Sequence, residues 1–236
     1  MSRRHRLVVA VVAGMVALSA VAVAGWWATR AVPTDAGGTS LERVDDYGAV
    51  PPFTLMERSG KRVSHDDLAG TVWVADFIYT QCTETCPAQS LQFSRLQTEF
   101  APGDPLRFVS ITVDPEHDTP EVLQRYADRY GATDRWWFLT GDKREIYCLA
   151  QKGFRLSVVD PAATSPPTCG EAFLLGPRAA WASHGSKGLI MHSARFVLVD
   201  AKGRIRAYHL ATDPDSVGKL AANVRGVLDE APGRAR

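Results

Sequence analysis

Thr71-Val-Trp-Val-Ala-Asp-Phe-Ile-Tyr-Thr-Gln-Cys82-Thr-Glu-Thr-Cys86-Pro87 is the stretch from which the rest of this chain is read. Its first half is rich in β-branched and aromatic residues, the mark of a buried strand. It breaks off in a short polar loop carrying two cysteines four apart. Pro87 then suits the first turn of a helix, where its missing N–H costs nothing and its φ is already helical. A helix start supplies free N–H groups and a partial positive charge, which favour thiolate over thiol. Two cysteines poised this way are either a redox pair or half of a soft-metal site.

Working outward, Phe53-Thr-Leu-Met and Arg62-Val-Ser flank Arg58-Ser-Gly-Lys and predict a hairpin turning at Gly60. Downstream, Phe93, Leu96 and Phe100 recur at helical spacing, so residues 87–100 are expected to form an amphipathic helix. Leu106 to Val113 is a second buried strand, ending at Asp114-Pro115. Thr119-Pro120-Glu121 is a helix start, with Thr as cap, Pro at the first position and an acid in the first turn. Trp136 to Leu139 predicts a strand and Lys143 to Lys152 a short helix. Residues 161–187 show no clear period and read as an inserted loop. A hairpin around Lys202-Gly203 and a helix entered at Asp213-Pro214 close the chain. The order is hairpin, β, α, β, α, β, α, loop, hairpin, α. Alternation of this kind predicts an α/β fold with a central mixed sheet and helices on both faces. With a dicysteine at the C-terminal end of the first core strand, it reads as thioredoxin-like.

At the other end, Arg3, Arg4 and Arg6 precede an apolar run from Leu7 to about Ala28. About 20 such residues span a bilayer as a helix, and the arginines keep the start cytoplasmic and export the chain beyond the run. Ala22-Val-Ala24 is a cleavage pattern that would instead suit a signal peptide. The length of the run, with Trp26 and Trp27 at its far end, favours an uncleaved anchor. The expected organisation is a cytoplasmic stub and membrane anchor over residues 1–30, a linker over 31–50 rich in Gly, Thr, Asp and Pro, and one domain over 51–236. That places a single-pass protein in the cell membrane with its domain on the extracytoplasmic side. The 236 residues carry a formal net charge of +1, so no basic face suggests a nucleic-acid partner.

His192, in Gly188-Leu-Ile-Met-His-Ser-Ala-Arg-Phe, lies just before the penultimate strand. In thioredoxin-like folds that segment faces the dicysteine loop and normally carries a cis-proline, for which a histidine stands here. On a turn of helix, residues four apart share a face, so Cys82 and Cys86 can point at one ligand. Two thiolates and one imidazole would make a compact soft site, and soft sulfur donors select Cu(I) over hard ions.

Three motifs then carry a family resemblance: Thr80-Gln-Cys82-Thr-Glu-Thr-Cys86-Pro87, Ser110-Ile-Thr-Val-Asp-Pro-Glu-His-Asp-Thr-Pro-Glu-Val-Leu, and His192-Ser193 before Phe-Val-Leu-Val-Asp. Occurring in this order over residues 50–228, they resemble the Sco/SenC family of copper-binding proteins, implicated in assembling cytochrome c oxidase. The resemblance implies a membrane-tethered thioredoxin-like domain binding copper through Cys82, Cys86 and His192. The expected partners are the copper-site subunit of the oxidase, other copper chaperones or thiol–disulfide reductases, and the membrane. The chain departs from the family at Met191, where many members have an acid, and in the longer 161–187 loop, which adds Cys169 and His184. Met191 is read as packing, His184 as a solvated loop residue and Glu84 as solvated. The Asp114-to-Thr119 motif is explained as a turn and helix cap and is not read as a site.

Two functions fit. The first is a copper metallochaperone delivering copper to the CuA site of cytochrome c oxidase during assembly. The alternative is a thiol–disulfide reductase keeping that site's cysteines reduced, with Cys82 attacking and the Cys82–Cys86 pair redox-active. A peroxiredoxin-type peroxidase is disfavoured, because Ile78-Tyr-Thr-Gln-Cys does not reproduce the Pro-x-x-x-Thr-x-x-Cys setting. The two remaining cysteines, Cys148 and Cys169, are candidates for a structural disulfide outside the cytoplasm, against a buried Cys148 thiol acting as a small hydrophobe.

Overall fold

The computed structural model describes residues 40–159, 191–192 and 194–230, together with Arg3, Met15 and Cys169. The chain divides into two compact units, Met1–Gly38 and Thr39–Arg236. Of the first, only Arg3 and Met15 are described, both helical. The expected membrane helix therefore falls outside the described residues, as do His184 and most of the 161–187 loop. Among the described residues no helix is long and apolar enough to cross a membrane.

Among the described residues, the second unit is built on a seven-stranded mixed sheet. Its strands are β1 (Thr54–Glu57), β2 (Arg62–Ser64), β3 (Val72–Ile78), β4 (Leu106–Thr112), β5 (Trp136–Thr140), β8 (Arg195–Val199) and β9 (Ile205–Leu210), in the order β2-β1-β5-β4-β3-β8-β9. A separate two-stranded ribbon pairs β6 (Val158–Val159) with β7 (Met191–His192). The helices are α1 (Thr85–Glu99), α2 (Pro120–Arg129), α3 (Lys143–Cys148) and α4 (Pro214–Glu230). Strands β3, β4 and β5 run parallel at the centre, while β1 and β8 flank them antiparallel. All seven residues of β3 are buried, as expected of a parallel strand covered on both faces.

One face of the sheet carries α1, α2 and α4. Phe93 of α1 stacks on Phe196 of β8 at 4.3 Å between ring centroids and meets Phe108 of β4 edge-on at 5.1 Å. Ser90 of α1 hydrogen-bonds the Tyr126 hydroxyl of α2 at 2.8 Å. Arg225 of α4 lies over the Phe100 ring and pairs with Glu99 at the end of α1. The other face is covered from the α3 side. There Phe154 packs edge-on against Trp73 at 5.8 Å and Phe77 at 5.3 Å. The helix expected over residues 143–152 changes character halfway. After Cys148 it widens into a π-turn over Leu149–Gly153, closed by the Phe154 N–H on the Leu149 carbonyl at 2.8 Å.

The local signals in the sequence act as expected at the element ends. Thr119 caps α2 by accepting the Val122 N–H, with Pro120 behind it. Gly203, at φ +75°, turns the β8–β9 hairpin, and a Cβ there would fall 2.7 Å from the His65 ring. The stretch read as linker is already docked from Glu42 onward. The Glu42 carboxylate accepts from Ser216 Oγ at 2.6 Å and Lys219 Nζ at 3.0 Å, both on α4. Asp45, Tyr47 and Val50 donate backbone N–H groups to the Arg206, Ile205 and Gly203 carbonyls. This extended segment covers the outer edge of β9, which would otherwise present unpaired backbone groups.

Candidate functional site

The end of β3, the start of α1 and the motif leading into α2 meet where the dicysteine loop lies. Helix α1 begins two residues earlier than its apolar spacing suggested, so Cys86 sits inside its first turn. The Cys86 N–H donates to Cys82 Sγ at 3.3 Å. The sulfur thereby satisfies one of the helix's first-turn donors, while Glu84, at the cap position, makes no side-chain cap bond and is exposed. Thr85 Oγ1 lies 3.9 Å from the same sulfur. Both cysteines stand as thiols, not joined to one another.

The two sulfurs are unequal. Cys82 is 9% exposed and Cys86 not at all, so a partner reaches Cys82 first. The Cys86 thiol is pushed well up from its ordinary value. Its bond to Cys82 contributes most, followed by burial, with smaller effects from the Cys82 and Asp76 charges. Tyr79, just before the loop, is likewise raised, by burial and then by Cys82.

The loop is held from below by Asp118, which the sequence left as part of a turn. Its buried carboxylate accepts the Thr80 N–H at 3.1 Å and the Thr80 and Thr112 hydroxyls at 2.5 Å each. Thr112 Oγ1 in turn accepts the Asp114 N–H at 3.0 Å. The turn and cap expected over residues 114–119 are present. Their added consequence is that the last residue before the cap of α2 fixes the backbone two residues ahead of Cys82. No local signal could have revealed this contact, because Thr80 and Asp118 are 38 residues apart. Asp114, pushed up by burial and by the neighbouring Asp118 charge, stays at the rim.

A second carboxyl lies deeper. Asp76, in the middle of β3, is completely buried. Ser110 stands opposite it in the β3–β4 register and acts against the upward pull of burial, yet neither oxygen is within hydrogen-bonding geometry of a protein group. Burial pushes this carboxyl up to about 7. Gln89, on the same face of α1 as Cys86, is buried with both amide atoms also lacking partners. A lone acid inside an apolar strand was visible in the sequence, and only the structure relates it to Cys86.

His192 lies in β7, where its backbone is in register with Val158 of β6. Its side chain and that of Met191 are outside the described residues. Cys148 and Cys169 form a disulfide, with their Cα atoms 5.6 Å apart. The donors that the described side chains bring together are therefore the two thiols. They suit a soft cation that prefers sulfur, and they equally suit exchange with a disulfide.

Residues 43–229 match the family model described as SCO1/SenC. The SCO1 protein homolog of Bacillus subtilis (strain 168) is 37% identical over 145 residues, covering 60% of this chain and 75% of that protein. Among solved structures, BsSco, a member of the Sco family of cytochrome c oxidase assembly proteins in which a disulfide switch was identified, is similar with a TM-score of 0.61 and 28% identity. That match covers 78% of this chain and 96% of BsSco. Bradyrhizobium japonicum ScoI, solved with copper bound, is similar with a TM-score of 0.57 at 22% identity over 76% of this chain and 99% of that one. At that identity the likeness is one of fold.

The two carboxyls can be tested separately. Asp118→Ala strands three donors and should cost roughly 2–4 kcal/mol in denaturant unfolding. It should also speed alkylation of Cys86, because the loop above that thiol is loosened. A native alkylation rate in the variant would show that the loop is held elsewhere. For Asp76, a carboxyl whose pKa is higher in the fold than in the unfolded chain keeps its proton in the fold while the unfolded chain sheds it. Stability is therefore lost as pH rises from about 4 through about 7, a penalty on the order of 4 kcal/mol above that range. Asp76→Asn carries no such charge. Its melting temperature should gain on wild type between about pH 5 and about pH 8, and a pH-independent difference would contradict a buried acid titrating there.

Proposed function

The chain belongs to the SCO1/SenC family, and from that premise we propose that it is a copper metallochaperone delivering copper to the CuA site of cytochrome c oxidase during assembly. The observation that carries this reading is the pair of thiols at the start of α1, Cys82 in the loop before the helix and Cys86 in its first turn, with the Cys86 N–H directed at Cys82 Sγ. Cys82 and Cys86 serve as thiolate ligands and His192 as the third donor. Loading requires both cysteines to lose their protons, and a Cys82–Cys86 disulfide has no thiolate to offer. The redox state of the pair therefore gates loading. The apolar run near the N-terminus anchors the chain as a single-pass protein, with the domain on the extracytoplasmic side. The oxidase's copper-site subunit is the recipient, and other copper chaperones or thiol–disulfide reductases supply copper and electrons.

One observation supports a second reading, the thiol–disulfide reductase. Cys82 is the accessible sulfur and Cys86 is buried beneath it, the arrangement of an attacking and a resolving thiol. Cys82 thiolate would open a partner's disulfide, releasing one partner thiol and leaving a mixed disulfide. Cys86, losing its proton, would then attack Cys82 Sγ and release the second partner thiol. Two electrons pass to the partner, and the chain is left with a Cys82–Cys86 disulfide.

The reduced protein should bind one copper per chain, and Cys82→Ala or Cys86→Ala should abolish it. His192→Ala should weaken binding by at least the roughly 10–100-fold that loss of an outer-sphere partner already costs, with exchange against oxidised glutathione unchanged. Competition titration with a Cu(I) chelator reads the first effect and stopped-flow exchange the second. Wild-type copper affinity in the His192 variant would remove the imidazole from the site and favour the reductase.

A further inference from the structure

As the proposed third donor, His192 stands on a slender support. Strand β7 is two residues long, and its sheet partner is β6, also two residues, with Val158 opposite His192 and Val159 opposite Met191. A two-stranded ribbon of this size is marginal on its own in water. On its C-terminal side β7 is followed closely by β8, and the Ala194 carbonyl accepts the Ala211 N–H at 3.0 Å; across the strand, its pairing partner is β6.

On its N-terminal side β6 is tied to the core. Cys148 is 4% exposed, and Leu149, Ala150 and Phe154 are fully buried. Gln151 Nε2 donates to the Val158 carbonyl at 2.9 Å, and the Leu156 N–H donates to the Ala150 carbonyl at 2.9 Å. Between them Arg155 adopts φ +54°, which reverses the chain after the π-turn. On its C-terminal side the next covalent restraint is Cys169, bonded back to Cys148 across a sequence separation of 21. Strand β6 thus lies inside a closed ring whose junction is a core residue.

We propose that the Cys148–Cys169 disulfide is a positioning device for His192. It fixes the ring that contains β6, so that the Val158 backbone offers a standing edge on which β7 pairs and His192 is presented. The dithiol pair does not depend on it: Cys82 and Cys86 are placed by β3, α1 and Asp118, none of which lies in the ring. The two cysteine pairs have separate duties, one supplying donors and the other supplying the place of the third donor. The proposal rests on the reading of His192 as a copper ligand.

The test uses the full-length protein with Cys169→Ser, which opens the ring while leaving Cys148 as a buried small hydrophobe. Cys148→Ala provides a second opening from the core side. Amide hydrogen exchange in residues 158–159 and 191–192 should accelerate on the order of 100-fold, the scale set by closing a ring of about 20 residues. Amides of the β3–β4 ladder should keep their protection. Cu(I) affinity should fall to the level of His192→Ala and fall no further when the two changes are combined. Imidazole nitrogen couplings in the electron paramagnetic resonance of the Cu(II)-loaded protein should weaken. The rate of Cys82 exchange with oxidised glutathione should not change. Unchanged exchange in the ribbon in both variants, or losses of affinity that add to that of His192→Ala, would overturn the positioning role. If His192→Ala itself leaves copper affinity intact, the ligand assignment fails, and the amide exchange still decides whether the disulfide holds the ribbon.

Discussion

The dicysteine loop depends on one buried carboxylate. Asp118 gives up its water for one backbone N–H and two hydroxyls, and in doing so ties the end of β3 to the end of β4 and the entry to α2. Without it, Thr80 would have a hydroxyl and an N–H with no buried acceptor, and the loop carrying Cys82 would lose its lower contact. An unpaired buried polar group costs more than a formed bond returns, so this clamp sets the loop's position more firmly than packing of its exposed residues could. Asp76 shows the same residue type under the opposite condition. It is as deeply buried, on the strand that leads into Thr80, but it has no donors, and burial accordingly drives it towards the neutral acid.

The chemistry of the pair follows from position. One sulfur lies at the rim, taking an N–H from the first turn of α1, and the other lies beneath it with its proton held by its neighbour and by burial. Copper loading and disulfide exchange share a requirement, the removal of the Cys86 proton. On the proposed readings they diverge at the third donor, His192, which exchange does not need.

Much of this is legible in the sequence alone. The apolar runs at 72–78 and 106–112 read as buried strands because parallel strands covered on both faces have no polar side to interrupt them. Thr119-Pro120 and Asp213-Pro214 mark helix starts through local chemistry that needs no partner far along the chain. The dicysteine is visible for the same reason. What escapes the sequence is non-local or too short to show a period. The clamp joins residues 38 apart, the β6–β7 ribbon spans two residues a side, and the π-turn after Cys148 breaks a helix without a glycine or proline at the break. The edge segment formed by residues 45–50 is hidden behind a composition that reads as tether, because backbone pairing to β9 makes few demands on side chains.

The most direct measurement is X-ray absorption at the copper edge on the reduced protein loaded with one equivalent of Cu(I). A first shell of two sulfurs and one imidazole nitrogen is expected, with no copper retained to give a shell when either Cys82 or Cys86 is replaced by Ala. A shell containing one sulfur, or one made of oxygen and nitrogen alone, would contradict a copper site built on the dicysteine loop and the first turn of α1.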